Sequence, residues 1–278
     1  MLISESDARG DGKPLPACED VRYNSSMNDQ AHSWSEAAAH YEDEFVDPYR
    51  AGSSGPLFAA LDSIVDARQQ VVADLGCGIG PLLPELAHRF SHVHAIDFAP
   101  GMLARARQRC ADQANITFHE RRLTDLAPLV GKVDVAVAIN SLVQPTVCEI
   151  EAVLEQIRHI VRPGGRFLGI VPAIDAVHYH TMLLLDRARR AGMPEAAARR
   201  NAAQNAEHVL YDFAFGGFSY TGLEQHFWQP FEIRYRLERA GFVEVREAKI
   251  PLAWEQFAGG ADLRDQPPPW DWFFEAEG

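Results

Sequence analysis

A regular alternation of short apolar runs and amphipathic stretches between residues 71 and 171 constrains the fold most strongly. Runs such as VVADL, HVHAID, ITFHE and VDVAVAI alternate with stretches of helical periodicity such as PLLPELAHRF, APGMLARARQRCA and CEIEAVLEQIRHIV. Strands that are joined through helices are parallel, because the crossover helix returns the chain to the starting edge of the sheet. The sequence therefore predicts an α/β chain with a doubly wound, mostly parallel sheet.

The flanking segments predict how the domain is organised. Residues 1–28 mix Gly, Pro, Ser and charged residues without periodicity, which predicts a mobile leader. Ser33 and Glu36 have the spacing of a capping box, and Trp34 and Ala38 begin a helical pattern that continues through Tyr41 and Phe45. A second helix is predicted around residues 57–67. We expect one domain over residues 29–278, with N-terminal helices at 29–68.

The alternation stops after the fifth strand, GRFLGIV. Residues 174–229 are rich in Ala, Arg, His and aromatic residues and contain no obvious core strand, so they predict a helical insertion that acts as a lid. A helix, PFEIRYRLERAGF, and two strands, VEVREAKI and WDWFFEAE, follow. The predicted core therefore comprises residues 69–173 and 230–278.

Composition and charge narrow the class of protein. The chain has 278 residues and a formal net charge of −13, which argues against nucleic acid as a partner and favours a small substrate. Its four cysteines include no pair with CxxC spacing, so no disulfide framework or zinc site is indicated. No segment resembles a signal peptide or a membrane span. We expect a cytoplasmic enzyme with no membrane partner.

A glycine-rich turn follows the first strand, in VVADLGCGIG. Its pattern is D-x-G-x-G-x-G, with Asp74 before Gly76, Gly78 and Gly80, whereas turns that hold a dinucleotide pyrophosphate have the pattern G-x-G-x-x-G. A carboxylate in this position would repel a pyrophosphate but attract an ammonium or a sulfonium. The turn therefore predicts a cationic ligand that the backbone approaches closely.

A second acid, Asp97, ends the strand HVHAID. It lies 21 residues after Gly76, the distance at which an acid in such folds reaches ribose hydroxyls. A ligand with both a ribose and a positive charge is S-adenosylmethionine.

Five ordered segments carry a resemblance to a known family: ADLGCGIG, AIDFAPGML, VDVAVAINSLVQP, VRPGGRFLGIV and LERAGF. In these segments the chain resembles the class I S-adenosylmethionine-dependent methyltransferases. The resemblance implies a seven-stranded, Rossmann-like sheet and methyl transfer from S-adenosylmethionine. It also assigns each part of the cofactor to particular residues. It implies that Asp74, Gly76, Cys77 and Gly78 line the methionine part, that Asp97 binds the ribose, that Phe98 and Met102 pack on the adenine, and that Asn140 and Leu142 lie near the sulfonium.

Two positions around the adenine and the methionine carboxylate need separate comment. The family usually has an acid after the third strand to accept the adenine amino group, but this chain has Arg122 there. The adenine contact would then fall to the backbone of Leu123, or to Asp125. Tyr41 in AAAHYEDEF resembles the tyrosine with which the family often covers the methionine carboxylate.

The acceptor site is expected after the fourth and fifth strands and in the insertion. Methyl transfer is an in-line displacement, so catalysis rests largely on orientation, and a base is needed only for a protonated acceptor. His226, His178, His180 and Tyr179 are the candidate catalytic residues, and His226 is favoured because it leads directly back into the core. Tyr220, Trp228 and Trp254 complete an aromatic set that favours a partly apolar small-molecule pocket.

Alternative functions stay open at this stage. The arginine-rich run DRARRAGMPEAAARRN would serve an RNA or protein methyltransferase as a recognition surface, although solvated helix faces have the same composition. The chain would otherwise be a cofactor-binding protein without transferase activity. No metal site is expected, because His178 and His180 point apart on a helix. The acceptor, the methylated atom and the oligomeric state stay undetermined.

Overall fold

The computed structural model describes residues 25–38, 55–220, 223–257 and 259–278. Seven strands form one sheet in the order β3-β2-β1-β4-β5-β10-β9. The first five are parallel, which confirms the doubly wound, mostly parallel, Rossmann-like arrangement. These strands are β1 (Val71–Leu75), β2 (His92–Asp97), β3 (Ile116–Glu120), β4 (Val133–Ile139), β5 (Val161–Pro172), β9 (Val243–Pro251) and β10 (Trp270–Glu277).

The last two strands reverse the direction of the sheet. β10 pairs antiparallel with β5, from Asp271 opposite Pro172 to Glu277 opposite Arg166. It also pairs antiparallel with β9 on its other side. β10 thus lies between two strands that both precede it in the chain, and β9 becomes the edge of the sheet.

Helices pack on both faces of the sheet. Helices α5 and α8 supply Ile150, Leu154 and Leu237 to the apolar core on one face, and α2, α3 and α4 build the core on the other. Neighbouring residues of β1 divide between the two cores because side chains alternate along a strand. The helices are α1 (Ser25–Ala37), α2 (Gly55–Asp62), α3 (Leu83–Arg89), α4 (Pro100–Arg109), α5 (Val147–Ile160), α6 (Ile174–Arg190), α7 (Glu195–Asn205) and α8 (Pro230–Arg239).

The insertion at residues 174–229 contains helices α6 and α7 and, in addition, a small antiparallel sheet that the sequence did not predict. Its strands are β6 (Tyr211–Asp212), β7 (Gly217–Tyr220) and β8 (Leu223–His226). Leu184 of α6 and Ala202 of α7 pack against Trp254 and Leu263, which lie between β9 and β10. The insertion and the segment between β9 and β10 therefore share a small apolar core.

Trp228 anchors the end of the insertion in the main core. Its side chain is buried and its Nε1 donates a 2.7 Å hydrogen bond to the Leu142 carbonyl. Its backbone N–H donates to the Pro172 carbonyl at 2.7 Å. Trp228, predicted as part of the acceptor pocket, thus contributes to the core.

The N-terminal helix begins earlier than its sequence pattern suggested. Helix α1 starts at Ser25, inside the segment predicted to be a mobile leader, so Ser33 lies within the helix rather than at its N-terminus. A complete capping box instead begins α5, where Thr146 and Glu149 exchange hydrogen bonds. Phe45 lies outside the described residues. Among the described residues, no helix is both long and apolar enough to cross a membrane.

Candidate active site

One cavity lies across the carboxyl ends of four neighbouring strands, β4, β1, β2 and β3. Asn140 follows β4, Gly76 and Gly78 follow β1, Asp97 ends β2 and Arg122 lies just beyond β3, and all five line the cavity. Parallel strands bring these residues to one edge of the sheet, where ligands bind in open α/β folds.

The glycine-rich turn after β1 is fixed by its own backbone. The N–H groups of Gly76 and Cys77 both donate to the Ile96 carbonyl, at 2.8 and 2.9 Å. Gly76, Gly78 and Gly80 all have positive φ, at 73°, 53° and 76°. A Cβ on Gly76 would also lie 2.4 Å from Cβ of Ser141, so the turn requires glycine there for two reasons.

Asp97 is held in place by the backbone of two loops. Its Oδ2 accepts a 2.9 Å hydrogen bond from the N–H of Gly78, and its Oδ1 accepts one of 2.8 Å from Ala99. Only 7% of the residue is exposed, and burial raises the pKa of its carboxyl, although these backbone hydrogen bonds act in the opposite direction. The carboxylate oxygens keep lone pairs for a ligand in the cavity.

Asp74 lies behind the turn rather than in the cavity lining. Burial, and then the nearby charge of Asp97, raise the pKa of its carboxyl to about 7. Two neighbouring carboxyl groups disfavour each other's ionisation, and a nearby positive charge stabilises their ionised forms. A cationic ligand beside Gly76 and Gly78 would supply that charge.

Two amide side chains present buried oxygen atoms at the β4 end of the cavity. The Nδ2 of Asn140 makes a long, 3.5 Å contact with Oδ2 of Asp271, and the Nε2 of Gln144 donates to the Ser141 carbonyl at 3.0 Å. Asn140 Oδ1 and Gln144 Oε1 are buried and accept no hydrogen bond from the described part of the chain. Both residues line the cavity, so these oxygens suit a ligand that donates hydrogen bonds.

Apolar side chains line much of the β2 and β3 end of the cavity, beside Asp97 and Arg122. They are Phe98, Met102 and Leu123, and Gln30 and Trp34 of α1 also line the cavity. Helix α1 is attached to α4 through Ser35, whose Oγ accepts a 3.2 Å hydrogen bond from the N–H of Gly101. This surface fits a flat, apolar group of a ligand.

The structure brings most of the predicted cofactor residues to this cavity. Gly76, Gly78, Asp97, Phe98, Met102, Leu123 and Asn140 line it. Asp74, Cys77 and Leu142 are buried and are absent from its lining. Burial raises the pKa of the Cys77 thiol well above its usual value, and the Leu142 carbonyl binds Trp228. Tyr41 lies outside the described residues.

The alternative adenine contact, Asp125, lies outside the cavity. Its Oδ2 accepts a 2.6 Å hydrogen bond from Nη1 of Arg121 on the exposed surface. Leu123 does line the cavity, together with Thr124.

The predicted catalytic residue His226 is buried beside the cavity but does not line it. Its Nε2 lies 3.0 Å from Oε2 of Glu232, and its ring packs edge-on against Trp228. Burial raises the pKa of the Glu232 carboxyl, whereas the hydrogen bonds from His226 and Arg236 lower it. The lowering is larger in total, so the pKa lies below its usual value. This geometry places His226 in a buried contact with Glu232, outside the lining of the cavity, and its role as a base stays a prediction.

The other candidate catalytic residues also lie away from the cavity lining. His178 is exposed and stacks on Phe213, with ring centroids 4.5 Å apart. The Tyr179 hydroxyl donates to the Pro267 carbonyl at 2.9 Å. His180 is buried against Trp254 and Phe257, within the core of the insertion. Tyr220, at the end of β7, is exposed and stacks on Phe218.

The cavity also includes residues that the sequence did not single out. Val143, Gln144 and Pro145 lie between β4 and α5, Glu149 lies in the first turn of α5, and Glu224 and Gln225 come from β8 of the insertion. The T-x-x-E signal of a capping box locates Glu149 at the start of α5, so that residue was within reach of sequence reasoning. The residues of β8 could not be located from the sequence, because their position depends on how the strands of the small sheet pair. In the described part of the chain, no three His, Cys, Asp or Glu residues form a metal-binding group.

Part of the chain is similar to known methyltransferases. A family model described as a methyltransferase domain matches residues 72–165. A protein of Mycobacterium tuberculosis described as an uncharacterized methyltransferase is 33% identical over 107 residues, which are 38% of this chain and 53% of that protein. Residues 72–165 are therefore similar to methyltransferases, in agreement with the resemblance that the sequence motifs carry. The match spans about half the length of that relative.

Solved structures of methyltransferases share the fold. The 1,6-didemethyltoxoflavin-N1-methyltransferase of Burkholderia thailandensis, bound to 1,6-didemethyltoxoflavin and S-adenosylhomocysteine, has a TM-score of 0.58 and 18% identity, over 99% of this chain and 97% of that one. The N-methyltransferase NodS of Bradyrhizobium japonicum, in complex with S-adenosylhomocysteine, has a TM-score of 0.57 and 14% identity, over 89% of this chain and 97% of that one. At these identities the likeness is one of fold.

Proposed function

We propose that this methyltransferase moves the methyl group of S-adenosylmethionine to a small-molecule acceptor held beneath the insertion. One observation carries the proposal: the cavity spans the ends of four strands, with Asp97 fixed beside the glycine-rich turn. A nucleoside attached to a cationic chain matches the surfaces that follow one another along the ends of these four strands.

The cavity provides a separate surface for each part of the cofactor. Asn140 Oδ1, a buried acceptor with no partner among the described residues, suits the ammonium of the methionine part. Asp97 suits the ribose hydroxyls, and Phe98, Met102 and Leu123 suit the purine. The bound cofactor supplies a methyl group made electrophilic by its sulfonium.

The insertion covers part of the cavity with β8, and a covered cavity favours a small acceptor. Glu224 and Gln225 of β8 line it, together with Pro145 from the loop after β4. The same three residues also line a second cavity, which continues towards Tyr211 and Phe218 of the small sheet. The two cavities together provide a partly aromatic, partly acidic site next to the expected methyl group. The Burkholderia neighbour is a structure with a small molecule bound, which supports the same class of acceptor.

Orientation accounts for most of the expected rate enhancement. The residues around the acceptor end hold the nucleophile in line with the carbon–sulfur bond and exclude water. Among the described lining residues of that end, the groups that can take a proton are the carboxylates of Glu149 and Glu224. Glu149 Oε2 accepts a 2.9 Å hydrogen bond from the Thr146 hydroxyl, which leaves its other oxygen for the acceptor.

The proposal is tested with S-adenosylmethionine that carries a deuterated methyl group. The full chain is incubated with this cofactor and a metabolite extract, and small molecules, RNA and protein are analysed separately by mass spectrometry. We expect a deuterated-methyl product among the small molecules, in amounts equal to the S-adenosylhomocysteine formed. Label only in RNA or protein would contradict a small-molecule acceptor. Cofactor binding without any transfer would contradict the enzymatic proposal.

A further inference from the structure

Arg122 is a cation in the cavity lining whose role is not explained by the fold. It lies two residues beyond the end of β3, and in the described part of the chain its guanidinium has no hydrogen bond or ion pair. Its neighbour Arg121, by contrast, pairs with Asp125 at 2.6 Å and does not line the cavity. An Arg side chain presents five N–H donors and no acceptor, so Arg122 suits hydrogen-bond acceptors of a ligand.

The order of the strands indicates which part of the cofactor lies near Arg122. Asn140 and Gly76 follow the ends of β4 and β1, where we place the methionine part, and Asp97 at the end of β2 is the proposed ribose anchor. β3 is the next strand beyond β2 in the same direction. The base that follows the ribose therefore lies at the end of β3, beside Arg122 and Leu123.

Carboxylates at this end of the cavity are poorly placed to read a purine amino group. Asp97 is bound by the N–H groups of Gly78 and Ala99 and is the ribose anchor in this arrangement. Asp125 is outside the cavity and is paired with Arg121. The charged side chain that remains at the purine end is Arg122, which carries only hydrogen-bond donors. The 6-amino group of adenine is also a donor, so the two groups cannot pair.

We propose that Arg122 recognises the purine through its ring-nitrogen acceptors, and that this site does not require the 6-amino group. This inference rests on the proposed function, because it assumes that the cavity binds the nucleoside of S-adenosylmethionine. Arginine pairs well with the N7 and O6 acceptors of a 6-oxopurine, whereas the N7 and 6-amino edge of adenine is better matched by an amide side chain. A 6-oxopurine cofactor should therefore bind at least as tightly as the adenine form.

The test compares two ligands by isothermal titration calorimetry on the full chain. The ligands are S-adenosylhomocysteine and its 6-oxo analogue, S-inosylhomocysteine. We expect the analogue to bind with equal or higher affinity in the wild type. Replacement of Arg122 by Leu should weaken the analogue at least tenfold and weaken S-adenosylhomocysteine less. The matched control is Arg121→Leu, which should leave both affinities within twofold of the wild type.

The possible outcomes separate this inference from the proposed function. Two outcomes would overturn the role of Arg122 and leave the proposed function standing. One is that the analogue binds at least tenfold more weakly than S-adenosylhomocysteine, and the other is that the wild type and Arg122→Leu bind with equal affinities. If neither ligand binds to the folded wild-type chain, the proposed function itself fails. A thermal unfolding temperature of Arg122→Leu equal to that of the wild type verifies that the variant is folded, so that any lost affinity is a loss of binding.

Discussion

The carboxylate of Asp97 accepts a 2.9 Å hydrogen bond from the backbone N–H of Gly78, so the end of β2 is attached to the turn that follows β1. A second hydrogen bond, from the N–H of Ala99, fixes the other carboxylate oxygen. The carboxylate therefore has its orientation before any ligand arrives. Preorganisation of this kind reduces the entropy lost on binding, as the proposed role of Asp97 in binding a ribose requires.

The carboxyl group of Asp74 should make cofactor binding depend on pH near neutrality. Its pKa lies at about 7 because it is buried and near Asp97. A cationic ligand favours the ionised form, so binding lowers this pKa and releases a proton. We expect the affinity for S-adenosylmethionine to fall as the pH decreases from 8 to 6, by up to about tenfold per pH unit.

Calorimetry in buffers of different ionisation enthalpy measures the released proton directly. Asp74→Asn, which keeps the shape of the side chain and removes its titration, should flatten most of the pH dependence. The same slope in Asp74→Asn as in the wild type would assign the dependence to another group.

Two glycines of the turn should respond differently to alanine. At Gly78 an added Cβ meets no atom within 4 Å, so Gly78→Ala carries only the strain of a positive φ, about 1–2 kcal/mol. At Gly76 the same change also places Cβ 2.4 Å from Ser141, which adds about 1–3 kcal/mol. Urea unfolding measures the difference in the free energy of unfolding, and equal destabilisation of the two variants would contradict the packing described for Gly76.

The turn after β1 shows why the sequence alone could predict which residues meet at this cavity. The residues that define it are close in the sequence, and glycine at positive φ and acids at strand ends carry local signals that do not depend on distant contacts. Asp97 could be placed beside Gly78 because neighbouring parallel strands end at the same edge of the sheet. The same reasoning predicted β1 to β4 with the bounds that the structure has.

The individual residues of the proposed acceptor end could not be predicted in this way, although the sequence did predict that this end follows β4 and includes the insertion. Its side chains include Glu224 and Gln225, whose position depends on how the hairpin of the insertion packs against the loop after β4. The backbone N–H of His226 donates to the Val143 carbonyl at 3.1 Å and sets this position. Histidines of the insertion suggested a base by their chemistry, whereas the structure shows His226 and His180 buried and outside the cavity lining.

Replacement of His226 should affect stability more than catalysis. His226 and Glu232 form a pair whose side chains are 5% and 14% exposed, so His226→Gln leaves a buried carboxylate with fewer partners. We expect a loss of about 1–3 kcal/mol in the free energy of unfolding at neutral pH. The depressed pKa of Glu232 means that its share of stability is present above the unfolded pKa and is lost as the pH falls through the folded value.

The control for His226→Gln is His159→Gln, on the exposed surface of α5. Both variants should keep the acidic limb of the wild-type rate profile. A loss of about a hundredfold in rate for His226→Gln, together with disappearance of the acidic limb, would instead identify His226 as the general base.

The insertion should become more protected when the cofactor product binds. Glu224 and Gln225 of β8 line the cavity, so the amides of residues 223–226 should exchange more slowly with S-adenosylhomocysteine present. Helix α7, which does not line the cavity, provides the comparison within the same chain. Hydrogen exchange followed by mass spectrometry measures both segments, and unchanged exchange in 223–226 would argue against a covering role for β8.

The affinity of the full chain for S-adenosylhomocysteine, with and without the carboxylate of Asp97, tests the central claim most directly. Isothermal titration calorimetry of the wild type should show one saturable site per chain. Asp97→Ala should weaken binding by about 1.5–3 kcal/mol, because charge-assisted hydrogen bonds to the ribose are lost. Glu120→Gln, at the end of the neighbouring β3 and exposed outside the cavity, should bind like the wild type. Wild-type affinity in a folded Asp97→Ala variant, or no binding to the folded wild type, would contradict the account.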